Sequence, residues 1–202
     1  MLSFSQIIDD KAMAPIMEDL ALLFADMDGA YAAAADQYGF ACTGCTDNCC
    51  LTRFYHHTFL ELIYLRRGFL KLPPAARQAA RTRAGAYLAA LSASDQDGRF
   101  RHMCPLNQDG LCLLYDCRPM ICRLHGIPHE VTPPGRPRVV FRQGCQAFSE
   151  RCGDRPYHPF DRTPFYTRMS VLETRLKEQL GICARTKKTV AHMLIEEGLP
   201  SI

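Results

Sequence analysis

The chain contains no run of eighteen consecutive apolar residues, so no membrane-spanning helix is expected. Its opening, "MLSFSQIIDDKAMAPIMEDLALLFADMDGA", lacks a basic start, and Asp9, Asp10, Glu18 and Asp26 interrupt the apolar stretches, so it does not read as a secretory leader. There is no glycine-rich nucleotide loop, no Walker sequence and no S-adenosylmethionine loop. The cysteine triplet of a radical enzyme, with gaps of three and then two residues, is also absent. No Ser-His-Asp spacing can be read, and no internal repeat or low-complexity segment occurs. Charge of one sign is scarce too. The formal net charge is +3 with both signs interspersed, too mild for a nucleic-acid surface. The basic stretches "RQAARTRAG" and "RTKK" read as solvated helix faces.

What the chain has in excess is cysteine: 11 in 202 residues. With no leader, the expected compartment is the cytoplasm, where thiols stay reduced and cysteine clusters serve metals more often than disulfides. The odd count argues against complete intrachain pairing. An apolar fraction of 48% supplies a sizeable core without cross-links.

The pattern of apolar residues predicts a mainly α protein with a small cysteine-rich β insert, an α+β class in which helices bracket a metal-binding core. One domain is expected over 1–202, with the cysteine region at 40–146 and flanking helices within 1–38 and 163–198. Pro15 suits a first helical turn, and Ile16, Leu20, Leu23, Phe24 and Met27 follow at helical spacing over about 14–37, with Gly39 as the stop. Thr52 is a candidate cap for a second helix ending at Gly68, and Pro73-Pro74 opens a third, to about 91. "SASDQDGR" reads as a loop. "CPLNQDGLCLLY" reads as two short strands about an Asp-Gly turn, Asp116 as a cap for a single helical turn over 117–122, and "RLHGIPHEV" and "RVVFRQG" as a ribbon about a "TPPGRP" turn. Thr163-Pro164 starts a helix that Gly181 ends, and a last helix runs over about 186–197.

Four cysteines fall within "CTGCTDNCC": Cys42, Cys45, Cys49 and Cys50. The two-residue spacing of Cys42 and Cys45 lets a tight turn aim both sulfurs at one centre. Four convergent thiolates suit zinc or an iron–sulfur cluster. Cys104, Cys112, Cys122 and Cys145 form a second, looser group. A lone cysteine is more often a small buried hydrophobe, and Cys117, Cys152 and Cys183 are read that way. Adjacent side chains diverge in helix and strand alike. Of the doubled Cys49-Cys50, one thiolate then joins Cys42 and Cys45 while the other reaches the 104–145 group. Alternatively, four of the eight hold one cluster and the rest surround it. Arg118 and Arg123 flank Cys122 and are candidates for balancing an anionic cluster, as against surface salt bridges. Tyr115 reads as a packed ring with a satisfied hydroxyl, and His125 as a satisfied histidine before a ligand or proton donor.

These residues resemble the YkgJ-type cysteine-cluster family, described as a zinc- or iron-chelating domain. The likeness spans about residues 40–146. It rests on "CTGCTDNCC", on Cys104-Pro105, on the string Gly110, Cys112, Tyr115, Arg118, Pro119, Cys122, Arg123, and on Cys145. Three residues separate Cys45 from Cys49 where two are commoner, and Gln146 stands where proline is usual. The resemblance implies eight cysteine ligands. A related box in flagellin lysine methylases implies that some members modify protein side chains. The expected function is a cytoplasmic protein holding an iron–sulfur cluster of the 4Fe-4S kind, for redox or for modification of a protein or peptide. The alternatives are a structural zinc module that scaffolds a protein interaction and a metal-dependent enzyme acting on protein side chains. The expected partner is a protein or peptide, with neither nucleic acid nor membrane.

Overall fold

A computed structural model describes residues 2–3, 6–7, 11–42, 49–94, 100–135 and 138–199. Cys45, most of the "SASDQDGR" loop and the end of the "TPPGRP" turn lie outside the described residues. The chain is mainly helical with small antiparallel sheets, as the apolar spacing predicts. In order come β1 (Leu2–Ser3), α1 (Ala14–Gln37), α2 (Phe59–Lys71), α3 (Pro74–Ala93), β2 (Asn107–Gln108), β3 (Leu111–Cys112), α4 (Met120–Leu124), β4 (His129–Val131), β5 (Val140–Arg142), α5 (Gln146–Cys152), α6 (Thr163–Leu180), α7 (Val190–Ile195) and β6 (Gly198–Leu199). Each sheet has two strands: β1 with β6, β2 with β3, and β4 with β5. Among the described residues no helix is long and apolar enough to cross a membrane.

The core is helical. α1 packs on α6 and α4, α2 on α6 and α7, and α3 on α7. The predicted stripe of α1, with Ile16, Leu20, Leu23, Phe24 and Met27, is buried. It meets Phe59, Leu62, Ile63 and Phe69 of α2, Leu172 and Leu176 of α6, and Met193 and Leu194 of α7 within one apolar cluster. Each such side chain contributes about 1.5–3 kcal/mol when fully buried.

The second helix starts later than the sequence suggests. Thr52 forms an isolated bridge with Arg101 instead of a cap, and His56 exchanges backbone hydrogen bonds with Lys188, 2.7 and 2.9 Å long. These pairings hold the strand-like approach to the helix extended, and Thr58 becomes the cap. Its hydroxyl oxygen accepts from the Glu61 amide at 3.2 Å, while Glu61 Oε2 accepts from that hydroxyl at 2.7 Å. Glu173 of α6 accepts from the next free donors, the amides of Phe59 and Leu60, at 2.9 and 3.1 Å. The last helix is shorter than expected for the same reason. Lys188 pairs with His56, and Thr189 then caps α7.

Gly68 does not end α2. The helix runs on to Lys71 and stops before Pro73, which disfavours a helical residue ahead of it. Gly68 instead admits the turn at Tyr115–Cys117: an added Cβ would lie 2.5 Å from Cys117 Sγ and 3.0 Å from its Cβ. The Asp-Gly hairpin is as expected. Asp109 at φ 53° and Gly110 at φ 85° make the left-handed corner that opposes Asn107 to Cys112. The single helical turn expected over 117–122 is two pieces, a 3-10 turn at Tyr115–Cys117 and then α4, because Pro119 interrupts between them.

The close approach at Gly68 makes a test. Gly68→Ala is expected to lower stability by about 1–3 kcal/mol through overpacking, outweighing a helix-propensity gain of about 1 kcal/mol. In a Cys117→Ala background, where the 2.5 Å contact is gone, urea unfolding should show at least half of that loss recovered. Equal losses in both backgrounds would refute the contact.

Candidate metal centre

The site begins with a backbone clamp. The Cys104 amide donates to the Cys50 carbonyl at 2.8 Å, fixing the doubled cysteine to the start of the hairpin segment. The chain then turns: the Asn107 amide donates to the Cys104 carbonyl at 2.9 Å, and the Leu113 amide to the Leu106 carbonyl at 2.9 Å. This puts Cys104 and Cys112 on the two arms of one hairpin. Cys122 comes from α4, whose first amide, that of Met120, is held at 2.9 Å by Glu61 Oε1 of α2.

The sulfurs of Cys50, Cys104, Cys112 and Cys122 stand within electrostatic range of one another. Burial, then the Cys50 and Cys112 sulfurs, pushes the Cys104 thiol up to about 12, while the N–H groups of Leu106 and Asn107, hydrogen-bonded to it, act the other way. Burial and the Cys50 sulfur raise Cys112 as well, opposed by the Leu114 N–H bonded to it and by the Arg118 charge. Cys122 is raised well above the ordinary thiol value, by burial first and then by Cys104, Cys112, Cys50 and Glu61. Cys49 donates to Cys50. That bond raises Cys49 and lowers Cys50, and the Asn107 amide lowers Cys50 further against its burial.

The other cysteines collect at a second place. The charges of Cys42, Cys145 and Cys49 all reach the Tyr31 hydroxyl, and Cys49 in turn feels Cys42, Cys50 and Cys122. Cys50 therefore faces the hairpin and α4, while Cys49 lies between that set and the side of Cys42 and Cys145. Cys45 lies outside the described residues. Among the described residues, no group of three or more Cys, His, Asp or Glu side chains converges closely enough to hold a metal ion as the side chains stand. The donor set nonetheless suits a soft cation. The four sulfurs come from a 3-10 turn, the hairpin and a short helix, with backbone N–H groups beside two of them, and their mutual repulsion as thiolates is what a bound cation would remove.

Of the three cysteines read as small buried hydrophobes, only Cys152 is buried, its thiol donating to the Tyr38 carbonyl at 3.6 Å; Cys117 packs on Gly68 and its charge still reaches Cys112, and Cys183 is exposed.

Arg118 and Arg123 brace the turn between Cys112 and Cys122. Arg123 Nε donates to the Arg118 carbonyl at 2.8 Å, its other nitrogens reach Asp28 and the Asp116 carbonyl, and its guanidinium lies 4.3 Å over the Phe24 ring. Arg118 pairs with Asp28 at 3.6 Å and covers the Tyr115 ring at 3.6 Å, while its charge still reaches Cys112. Tyr115 is exposed rather than packed, and His125 is partly buried against Phe54. Sequence reasoning missed Asn107, Tyr31 and Glu61, ordinary residues whose place beside the sulfurs depends on tertiary folding.

A cavity of about 480 Å³ opens beside Gly144, next to Cys145, with Tyr38, Phe141, Phe148, Tyr157 and Arg155 among its walls. His125, Tyr115 and Arg118 do not line it. No family model matches the chain, and no curated protein or solved structure matches it either.

Glu61 ties this site to the helical scaffold. Burial alone would raise its carboxyl, but nearby His56, the Thr58 hydroxyl and the Met120 amide outweigh that and hold it below its ordinary 4.5. His56 Nδ1 stands 3.8 Å from Glu61 Oε1, an electrostatic contact too long for a hydrogen bond. A carboxyl lowered by folding stabilises the fold above its unfolded value and loses that contribution as pH falls. Glu61→Gln is therefore expected to cost about 1–3 kcal/mol at neutral pH and to flatten the decline of stability below about pH 4.5. Denaturant unfolding at several pH values measures both effects, and an unchanged acid slope would refute the assignment.

Proposed function

We propose that this chain is a metalloprotein whose cysteine thiolates hold an iron–sulfur cluster of the 4Fe-4S kind, and that it serves redox chemistry or the modification of a protein or peptide in the cytoplasm. The observation that carries the reading is the pair of N–H groups beside sulfur, that of Leu106 at Cys104 and that of Leu114 at Cys112, in a place that Cys50 and Cys122 share. Backbone donors stabilise thiolate over thiol and tune a cluster's potential. A thiol pushed up by burial gains little from such donors until a cation takes the proton's place. The cysteine spacing shared with the YkgJ-type pattern supports the same reading.

The protein's part in such a centre is divided among its own residues. Cys50, Cys104, Cys112 and Cys122 supply one group of sulfurs, and Cys42, Cys49 and Cys145 supply the other. The cluster, when bound, supplies one-electron chemistry. Asn107 stands beside Cys50 and favours its thiolate, Glu61 fixes the approach of α4, and Arg118 and Arg123 keep the intervening turn in register.

A structural zinc site is the second reading. It is favoured by the number of mutually neighbouring thiols, since four sulfurs with N–H donors suit one tetrahedral ion. The third reading, an enzyme acting on protein side chains, would use the cavity beside Gly144, whose wall includes Cys152 and none of Cys42, Cys49 and Cys145.

Metal and sulfide analysis of protein purified without oxygen, with its visible spectrum, tests the reading. The expected protein is brown, absorbs broadly and bleaches with dithionite. Colourless protein with stoichiometric zinc transfers the assignment to the structural site, and an absence of both metals overturns the proposal. Cys49→Ala and Cys50→Ala are expected to lose different parts of the metal content. Identical total loss would mean a single shared centre.

A further inference from the structure

Three short stretches of the chain, 49–57, 100–107 and 182–192, contain no Asp or Glu. The fold lays them side by side. Thr52 pairs with Arg101 and His56 with Lys188, both antiparallel, so the approach to α2 has a strand-like neighbour at each end. Successive side chains on extended backbone point to opposite faces. Phe54 and His56 take the inner face: Phe54 meets the His125 ring at 5.1 Å, and His56 is buried. Arg53 and Tyr55 take the outer face. Phe100 and His102, on either side of Arg101, and Lys187, beside Lys188, come to that face by the same alternation.

The contacts agree. The Arg53 guanidinium lies 5.7 Å from the centre of the Tyr55 ring and 5.9 Å from that of Phe100. Lys187 Nζ stands 4.5 Å from the centre of the same Tyr55 ring. Phe100 stacks on His102, with planes 9° from parallel, and Tyr87 meets both edge-on at 5.1 and 5.4 Å. The outer face is therefore made of cations seated on aromatic rings. Elsewhere, Arg118, Arg123, Arg168, Arg175 and Lys188 each meet a carboxylate. Among the described residues, Arg53 and Lys187 meet none. A ring holds a cation in place without neutralising it, so both charges remain open to an anion. The mild overall charge of +3 conceals this face because the acids lie elsewhere; α1 carries acids and no basic residue.

We infer that this face is a docking surface for an acidic segment of a partner protein, whose carboxylates pair with Arg53 and Lys187. A single-stranded nucleic acid would need open ring faces for its bases. Here Tyr55 is shared by two cations, Phe100 by Arg53 and His102, and Tyr87 is buried. The surface adjoins the doubled cysteine. The Thr52 amide donates to the Cys49 carbonyl at 3.0 Å, and the Cys104 amide to the Cys50 carbonyl at 2.8 Å. A segment docked on Arg53 and Lys187 thus lies beside these thiols. The inference goes beyond the metalloprotein reading and requires no metal; it assigns the charge of the protein partner.

Fluorescence anisotropy of the full chain with a labelled oligoglutamate peptide, at low and high salt, tests this. The native chain is expected to bind, and to lose most of that binding as salt screens the pairing. Arg53→Gln combined with Lys187→Gln is expected to weaken binding about fivefold or more, the scale of two exposed ion pairs. Arg53→Lys, which keeps the charge, is expected to stay within about twofold of native on that scale. Lys187→Gln alone alters an exposed side chain and is expected to cost about twofold even if the Arg53 change disturbs the fold. Arg142→Gln, which removes an exposed cation outside the three stretches, is expected to bind as native. No binding by the native chain, or an equal loss in Arg142→Gln, would overturn the inference. So would tighter binding of an oligothymidylate of equal charge through the same two side chains, which would make the face a nucleic-acid surface. Metal content is measured on the same samples. A chain without metal that still binds the peptide upholds this surface while the metalloprotein reading falls, and a loaded chain that does not bind overturns this surface alone.

Discussion

The cysteine region depends on one hydrogen bond, from the amide of Cys104 to the carbonyl of Cys50. The two residues are 54 positions apart, and two whole helices, α2 and α3, lie between them. Together with the Thr52–Arg101 bridge, this bond ties the doubled cysteine to the hairpin segment. With it, a change in the angle of either helix is transmitted to the sulfurs. The site is therefore as rigid as the packing of α2 and α3 against α7, and the buried apolar side chains there hold it in shape as much as any contact between cysteines.

The polar groups in this packing follow one logic. Glu173 of α6 occupies the start of α2, and Glu61 near the start of α2 occupies the start of α4. Glu173, half-buried, and Glu61, buried, each answer free amides of the next helix, so the orientation passes from α6 to α2 to the segment that carries Cys122. Arg123 closes the series by tying the turn before α4 to Asp28 on α1. Buried charges of this kind add little net stability compared with apolar packing, but they allow few alternative arrangements.

The sequence was readable where the signals were local. The stripe of α1, the Pro15 and Pro164 starts, the Asp-Gly corner and the left-handed Gly181 all depend on near neighbours, and they appear where expected. The Thr52 cap and the stop at Gly68 were misread because distant partners decided them: Arg101 and Lys188 for the first, Cys117 for the second. Within the site, the cysteines announced themselves through spacing and number. Tyr31, Glu61 and Asn107 did not, because nothing in "AYA", "LEL" or "LNQ" distinguishes them from surface or core residues. The grouping of Cys145 with Cys42 rather than with the hairpin was likewise invisible, since it follows from the turn at Gly126, whose carbonyl accepts the Cys145 amide.

The backbone pairing of His56 with Lys188 also bears on the order of assembly. Synthesis runs from the N-terminus, and domains tend to fold as they emerge. Every cysteine except Cys183 precedes residue 153, whereas Lys188 and α7 follow them in the chain. The stretch leading into α2 thus gains its backbone partner only after the sulfur-bearing segments have left the ribosome. For that interval the hairpin and the doubled cysteine can adjust to whatever they bind, and the arrival of α7 then fixes the geometry they have reached.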